Sequence, residues 1–252
     1  MSVLIVTGAS RGIGAEIGRL AARRGWSVCI NYATSEEEAE AVAEQIINEG
    51  GTAITAQADV TVESQVESMF NKVDRELGPV TGLVNNAAAN GLSVRVDDID
   101  PDTTRHLFDV NIIGPFICAK HAIRRMAKRH GGSGGAIVNI SSAAAGHGGP
   151  FAYVDYAASK AALDTFTVSL AKEQAMEGIR VNALRPGTTM TELSIEWAKE
   201  NPEWLQNVVD QVPLQRPAEV PEIAKAALFL LSDEASYVTG AILDASGGWV
   251  SP

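Results

Sequence analysis

The chain of 252 residues contains little cysteine, little histidine and little positive charge. Its two cysteines, Cys29 and Cys118, stand in separate apolar stretches, which excludes a disulfide framework and a cysteine metal cluster. The four histidines show no metal-ligand spacing, so no metal site is predicted. With a net charge of −11, the protein repels nucleic-acid phosphates and anionic lipid at long range, and we expect neither as a partner.

Long apolar runs are also missing. None approaches the roughly 20 residues that a membrane-spanning helix needs. The chain passes directly into the apolar residues 3–6 without a basic leader segment, so we expect a cytoplasmic protein. No internal repeat or linker divides the chain, and the glycine-rich residues 131–135 form a short loop. The sequence therefore predicts one domain over residues 1–252.

Apolar stretches alternate with helical patterns through most of the chain. Strands are predicted at residues 3–7, 27–31, 53–57, 82–85, 135–140, 180–183 and 241–244. Helices are predicted at residues 13–24, 36–49, 62–77, 104–129, 155–177 and 219–231. Several strands are apolar throughout, which is typical of a parallel sheet covered on both faces. The alternation predicts an α/β fold, a single Rossmann-type doubly wound parallel sheet of about seven strands with helices on both faces.

Residues 188–215 depart from this alternation and contain Trp197, Pro202, Trp204 and Pro213. The segment follows a predicted strand, and open α/β sheets bind ligands at the carboxyl ends of their strands. We therefore expect a substrate lid at 188–215, with a packed pair of surface helices as the alternative.

A glycine-rich loop joins the first strand to the first helix. Glycine lets backbone amides approach a pyrophosphate that a Cβ would block, and the helix N-terminus adds the positive end of its dipole. The position between a strand and a helix distinguishes this loop from an ordinary turn. Phosphate binding is predicted for residues Gly8, Ser10, Arg11, Gly12, Ile13 and Gly14.

Tyr156 and Lys160 are four residues apart within a helical pattern, so both lie on one face of the helix. A free tyrosine has a pKa near ~10, and a neighbouring ammonium favours the phenolate. We expect Lys160 to lower the pKa of Tyr156 and to fit it for proton transfer. Taken alone, the spacing is more typical of a solvated helix face.

In these and other residues the chain resembles the short-chain dehydrogenase/reductase family. The matching residues are the Gly-x3-Gly-x-Gly loop at 8–14, the segment 85–88, Asn111, Ser142, Tyr156-x3-Lys160, and Pro186-Gly187 with Thr191. The resemblance covers essentially the whole chain and looks most like the 3-oxoacyl-acyl-carrier-protein reductase and glucose-dehydrogenase-like branches. It implies an oxidoreductase that interconverts a ketone and a secondary alcohol of small size by hydride transfer, with Tyr156 as general acid/base.

The resemblance implies four catalytic residues: Asn111, Ser142, Tyr156 and Lys160. Asn111 would bend its helix and bind a water linked to Lys160, and Ser142 would hold the substrate oxygen. Ser142 lies one residue farther from Tyr156 than the family's serine does, so we expect one extra residue in the loop 144–155. Ser141 is the alternative, and since neighbouring strand residues point oppositely, only one hydroxyl can serve.

NADP is the predicted cofactor. The second strand ends without the carboxylate that contacts the ribose and repels a 2′-phosphate in NAD-binding relatives. Arg11 stands where NADP-preferring relatives carry a basic residue, while Asn31, Thr34 and Ser35 could add neutral donors. Glu36 to Glu38 lie nearby and keep NAD as the alternative.

The resemblance implies further cofactor contacts. Asp59 and the backbone of Val60 would contact the adenine, although Asp59 also suits a helix cap. The nicotinamide carboxamide would meet Thr189 and Thr191, for which an ordinary loop role is the alternative. The other implied cofactor residues are Asn31, Tyr32, Asn86, Ala87, Tyr156, Lys160, Pro186 and Gly187.

Other functions remain open at this stage. One is a sugar or small-alcohol dehydrogenase that uses NAD, and another is a non-catalytic regulator that binds the cofactor. The complete set of four implied catalytic residues argues against the regulator. Epimerases and dehydratases of this fold usually carry a separate substrate domain, for which this chain has no room. The resemblance also implies a homotetramer formed through helices 104–129 and 155–177 and the C-terminal strand.

Overall fold

The computed structural model describes residues 2–91, 93–149 and 153–249. Its strands are β1 (Val3–Val6), β2 (Ser27–Tyr32), β3 (Thr52–Gln57), β4 (Gly82–Asn85), β5 (Gly135–Ile140), β6 (Ile179–Pro186), β7 (Thr189–Met190), β8 (Ala218–Glu219) and β9 (Ile242–Ala245). Seven of them form one sheet in the order β3-β2-β1-β4-β5-β6-β9, and all of its pairings are parallel. This confirms the predicted Rossmann-type doubly wound sheet.

Helices cover both faces of the sheet. They are α1 (Gly12–Arg23), α2 (Glu36–Asn48), α3 (Glu63–Glu76), α4 (Pro101–Phe108), α5 (Gly114–Met126), α6 (Ala144–His147), α7 (Val154–Gln174), α8 (Glu192–Glu200), α9 (Pro202–Gln211) and α10 (Val220–Leu231). Short 3-10 turns lie at Val96–Asp98, Lys128–His130, Ala175–Glu177 and Asp233–Ala235.

The core consists of two apolar layers, one on each side of the sheet. Side chains alternate along β1, so that Leu4 and Val6 join the layer under α1, α2 and α10. Val3 and Ile5 join the opposite layer under α3, α5 and α7. Burial on both faces explains why the strands are apolar throughout. It also accounts for the two cysteines, which are fully buried and unpaired as expected of small apolar residues.

The helix predicted at 104–129 is present, but a π-helical turn widens it and it ends at Met126. The chain forms α4, then a π-helical turn at Asp109–Ile113, and then α5. Asn111 stands inside that turn, with its side chain directed to the backbone of Ala89. A side chain that pairs with a neighbouring loop can stabilise such a widened turn, and π-turns often mark functional sites. Helical periodicity alone does not reveal this interruption.

The segment 188–215 forms a helical pair, α8 and α9, whose base is tied down by the pairing of β7 with β8. Thr189 pairs with Ala218 and Met190 with Glu219. The first turn of α8, from Glu192 to Ser194, lines the site described below. A lid made of this segment stays a prediction, which limited proteolysis with and without cofactor would test.

Within the described ranges, no helix combines the length and apolar character needed to cross a membrane. No group of three His, Cys, Asp or Glu side chains in those ranges lies close enough together to bind a metal ion.

Candidate active site

A cleft of about 700 Å³ opens at the carboxyl ends of the central strands. The strand order reverses there, because the chain moves from the β3 edge to β4 on the other side of β1. Such switch points leave a crevice between neighbouring loops. Nearly all the residues predicted for the cofactor and the chemistry line this cleft: Gly8, Ser10, Arg11, Gly12, Ile13, Gly14, Asn31, Tyr32, Asp59, Val60, Asn86, Ala87, Ser142, Tyr156, Lys160, Pro186, Gly187, Thr189 and Thr191.

The glycine loop is shaped by close approaches that side chains would prevent. A Cβ on Gly14 would lie 2.5 Å from Asn86 Nδ2, and a Cβ on Gly8, whose φ is +59°, would lie 2.8 Å from Ala87 Cα. Asn86 Nδ2 donates to the carbonyl oxygens of Thr7 and Gly8, each at 2.9 Å. The loop is thus held against β4, and the first amides of α1 face the cleft. This arrangement fits the pyrophosphate of a dinucleotide.

Asn31 supports the glycine loop from below. Its Nδ2 donates to the carbonyl oxygens of Ala56 and Ala58 at 3.1 and 3.0 Å, while its Oδ1 accepts from the Gly8 amide at 3.1 Å. The expectation that the Asn31 side chain offers a neutral donor to the cofactor is therefore wrong. The side chain is buried and bonded to the backbone, so it positions the loop.

Tyr32 lines the cleft at the end of β2, and its hydroxyl donates to Glu36 Oε1 at 2.7 Å. This hydrogen bond and the burial of the ring raise the pKa of Tyr32 to about 12. The Glu36 carboxylate is therefore engaged by the protein. Arg11, Thr34 and Ser35 also line the cleft, to which they bring one cation and two hydroxyls.

Lys160 is buried at the centre of the site, with 2% of its surface exposed. Its Nζ donates to the carbonyl oxygen of Ile140 at 2.8 Å and lies 5.6 Å from the centre of the Tyr156 ring. Burial lowers the pKa of Lys160 to about 8, and the negative charge of Asp164 opposes this. The four-residue spacing thus brings the Lys160 ammonium and the Tyr156 ring close together in the cleft.

The pKa of Tyr156 differs from the expectation. Burial raises it above its ordinary value, and a hydrogen bond with Ser142 partly offsets that rise. Desolvation of the phenolate outweighs any help from Lys160, whose own ammonium is weakened by burial. Without a ligand, Tyr156 is therefore a protonated phenol at neutral pH, which suits a proton donor.

The two serines after β5 have different environments. Ser142 Oγ accepts from the Ala144 amide at 3.2 Å, and the Ser142 hydroxyl lies close enough to Tyr156 to lower the pKa of the phenol. Ser141 is buried, and its hydroxyl donates to the carbonyl oxygen of Lys160 at 3.2 Å. Of the two serines, Ser142 is therefore the one whose hydroxyl lies near the Tyr156 phenol. The loop inferred to be one residue longer includes residues 150–152, which lie outside the described residues.

Asn111 is buried behind the cleft and does not belong to its lining. Its Oδ1 accepts from the Ala89 amide at 2.8 Å, and its Nδ2 donates to Ser159 Oγ at 3.0 Å. Ser159 in turn donates to the carbonyl oxygen of Tyr156 at 2.7 Å. Asn111 therefore connects the π-turn to the helix that carries Tyr156 and Lys160. A water link to Lys160 stays a prediction.

Asp59 and Thr191 line the cleft and also stabilise their own turns. Asp59 Oδ1 accepts from the amide and the hydroxyl of Thr61 at 2.9 and 2.7 Å. Thr191 Oγ1 accepts from the Ser194 amide at 3.3 Å as the N-cap of α8. Both residues thus combine a structural role with a place in the cleft.

Several cleft residues were not singled out from the sequence. They include Asn90, His106 and Val110. The histidines had been assigned no metal-binding role, and His106 on α4 lines the cleft. His147, by contrast, stacks on Trp249 with ring centres 4.6 Å apart. Only the position of Asn90, shortly after the end of a strand, could have indicated such a place in advance.

Comparison with known proteins gives a consistent picture. A family model described as enoyl-(acyl carrier protein) reductase matches residues 8–250. The uncharacterized oxidoreductase YgfF of Escherichia coli is 42% identical over 98% of this chain and 100% of its own length. The 3-oxoacyl-[acyl-carrier-protein] reductase FabG of Staphylococcus aureus is 36% identical over 97% of this chain and 96% of its own length.

Among solved structures, the promiscuous reductase LugOII, which catalyses keto-reduction at C1 during lugdunomycin biosynthesis, superimposes with a TM-score of 0.89. It is 32% identical, and the match covers 98% of this chain and 97% of that protein. Sequence and structure thus agree over nearly the full length. The chain belongs to the short-chain dehydrogenase/reductase family and is an oxidoreductase that acts on CH–OH or carbonyl groups with a nicotinamide cofactor.

Proposed function

We propose that the protein is an NADP(H)-dependent reductase that converts a small ketone to a secondary alcohol and can run in reverse. The observation that carries this proposal is the meeting of Ser142, Tyr156 and Lys160 in one cleft beside the glycine loop. The keto-reducing activities named for FabG and LugOII support a ketone as substrate.

The chain's own residues would divide the chemistry among them. A bound nicotinamide supplies or accepts the hydride. The Ser142 hydroxyl holds the substrate oxygen, as a preorganised donor where negative charge develops. Tyr156, whose pKa burial raises, gives its phenolic proton to that oxygen. The Lys160 ammonium lies near the ring and stabilises the phenolate left after transfer.

NADP rather than NAD is supported by the charges at the far end of the cleft. Arg11 is exposed and lines the cleft, as do Thr34 and Ser35, whose side chains carry hydroxyls. The acid that could repel a 2′-phosphate, Glu36, is hydrogen-bonded to Tyr32 and does not belong to the cleft lining. A guanidinium binds phosphate through charge-assisted hydrogen bonds.

Replacement of Arg11 by alanine tests the cofactor assignment. Loss of a charged hydrogen bond costs about 1.5–3 kcal/mol, so we expect the Kd for NADPH to rise about 10–100-fold and the Kd for NADH to change little. Arg24→Ala is the matched control, because Arg24 is also exposed but stands at the other end of α1. Equal weakening of both cofactors by Arg11→Ala would contradict the assignment.

A substrate panel tests the function itself. Nicotinamide absorbance is followed with NADPH and a series of small ketones, and with NADP or NAD and sugars and secondary alcohols. We expect turnover of ketones with NADPH. Turnover of sugars with NAD alone would instead favour the dehydrogenase alternative, and tight cofactor binding without any turnover would favour the regulator.

Assembly as a homotetramer stays a proposal. Phe116 of α5 stacks on Phe166 of α7 with ring centres 3.8 Å apart, although Phe116 is 48% exposed. Ile113, in the π-turn before α5, is 47% exposed. An apolar patch on these two helices is what a helix–helix interface would cover. Size-exclusion chromatography with light scattering tests it, and a monomeric mass would contradict it.

A further inference from the structure

We propose that Asp164, held in place by Arg185, is a positioning residue that keeps Lys160 in its ammonium form. The inference rests on the proposed function, in which Lys160 supports proton transfer by Tyr156. Asp164 stands four residues after Lys160 on α7, so the two side chains share one helix face. Asp164 does not line the cleft and would act only through Lys160.

Asp164 is a buried charge with a dedicated partner. It is 3% exposed, and its Oδ2 accepts from Arg185 Nε at 2.8 Å and pairs with Arg185 Nη2 at 2.7 Å. Arg185 lies on β6 and also approaches Asp244 on β9, with Nη1 and Oδ1 3.8 Å apart. Burying a carboxylate is costly unless it is paired, and a well-packed apolar pair is often equally stable. A clamp between α7 and β6 therefore does not by itself require charges.

The second oxygen of Asp164, Oδ1, is buried and has no hydrogen-bond partner among the described residues. Burial raises the pKa of Asp164, while the nearby Ser141 hydroxyl and the Arg185 guanidinium oppose that rise and favour the carboxylate. One carboxylate oxygen is thus left to act through space in a region from which water is excluded. Charges interact far more strongly there than in water.

The negative charge of Asp164 acts on the ammonium group of Lys160. Its ammonium makes a single described hydrogen bond, to the carbonyl oxygen of Ile140, and burial favours its neutral form. Asp164 is the charge that opposes that loss. The other titratable or charged groups around this pair are Tyr156 on α7, Arg185 on β6 and Asp244 on β9. The pKa of Lys160 is about 8, and removal of a neighbouring negative charge would lower it further toward neutral pH.

The test compares Asp164→Asn with Asp244→Asn. Asparagine at 164 keeps the shape and an acceptor for Arg185 but removes the charge, while the control removes a charge from the opposite side of Arg185. For ketone reduction, kcat/KM falls at high pH when the ammonium is lost. We call this high-pH part of the profile the falling limb. We expect it to move by about one pH unit or more to lower pH in Asp164→Asn, and to stay unchanged in Asp244→Asn.

Asp164→Glu, which restores the charge, should return the limb toward the wild-type position. A purely structural clamp would lower kcat/KM at every pH without displacing the limb, and that result would overturn the proposal. If Asp164→Asn does not fold, the double variant Asp164→Asn/Arg185→Gln removes the buried pair together and leaves no unpaired charge. The same displacement is expected from it.

A second readout needs neither cofactor nor substrate. Because the pKa of Lys160 is about 8 in the folded protein against its ordinary 10.5, the unfolded chain binds an extra proton between these values. The free energy of unfolding therefore rises with pH across this window, and the rise should begin at lower pH in Asp164→Asn. Coincident stability profiles would overturn the proposal. Failure of the proposed function would instead appear as full activity of a Tyr156→Phe variant, which leaves this readout intact.

Discussion

Replacement of Tyr156 by phenylalanine is expected to lower kcat/KM for ketone reduction by about 10²–10⁴-fold, the usual contribution of a general acid. The variant loses only the phenolic hydroxyl, so the ring still fills its place against Lys160. Isothermal titration with NADPH should give a Kd close to that of the wild type. Stopped-flow or steady-state absorbance measurements give the rate.

Tyr153→Phe is the matched control for this prediction. Tyr153 precedes α7 by one residue, is 43% exposed and does not line the cleft. It should keep near-wild-type kcat/KM. A Tyr156→Phe variant with more than a tenth of the wild-type rate would rule out Tyr156 as the proton donor.

Removal of the Ser142 hydroxyl is the second large effect. Ser142→Ala should lower kcat by about 10²–10³-fold, as expected when one preorganised donor to a developing oxyanion is lost. The same hydroxyl is near Tyr156 and lowers the pKa of the phenol. The variant should therefore also shift the pH dependence of the reaction to higher pH.

Ser141→Ala separates the two possible serines. Ser141 is adjacent in sequence, but its hydroxyl is directed to the carbonyl oxygen of Lys160. We expect its removal to cost about tenfold or less, because the loss of one neutral hydrogen bond is worth about 1 kcal/mol. Near-full activity of Ser142→Ala together with inactive Ser141→Ala would reverse the assignment.

The sheet and the glycine loop could be predicted because local patterns determine them. Uninterrupted apolar strands and short glycine turns leave few alternatives, and the ends of parallel strands must meet at one edge. Tyr156 and Lys160 come together for the same reason, since helical spacing alone places them on one face. These predictions depended only on residues close together in the chain.

Other features depend on contacts between distant segments. The π-turn at Asn111 forms against Ala89, 22 residues earlier, and so escapes a search for helical periodicity. Asn31 looked like a donor for a ligand, but its amide is occupied by the backbone of β3 and of the glycine loop. The pKa of Tyr156 was misjudged because burial, which sequence does not give, outweighs the nearby ammonium.

The strand order also has a consequence for synthesis on the ribosome. The glycine loop and the strands β1 to β4, which hold one wall of the cleft, are complete by residue 85. The opposite wall, with Ser142, Tyr156 and Thr191, is added only as β5, α7 and α8 emerge. Because a domain generally folds as a unit, we expect a nascent chain to bind no cofactor until the strands and helices of the second wall have left the ribosome.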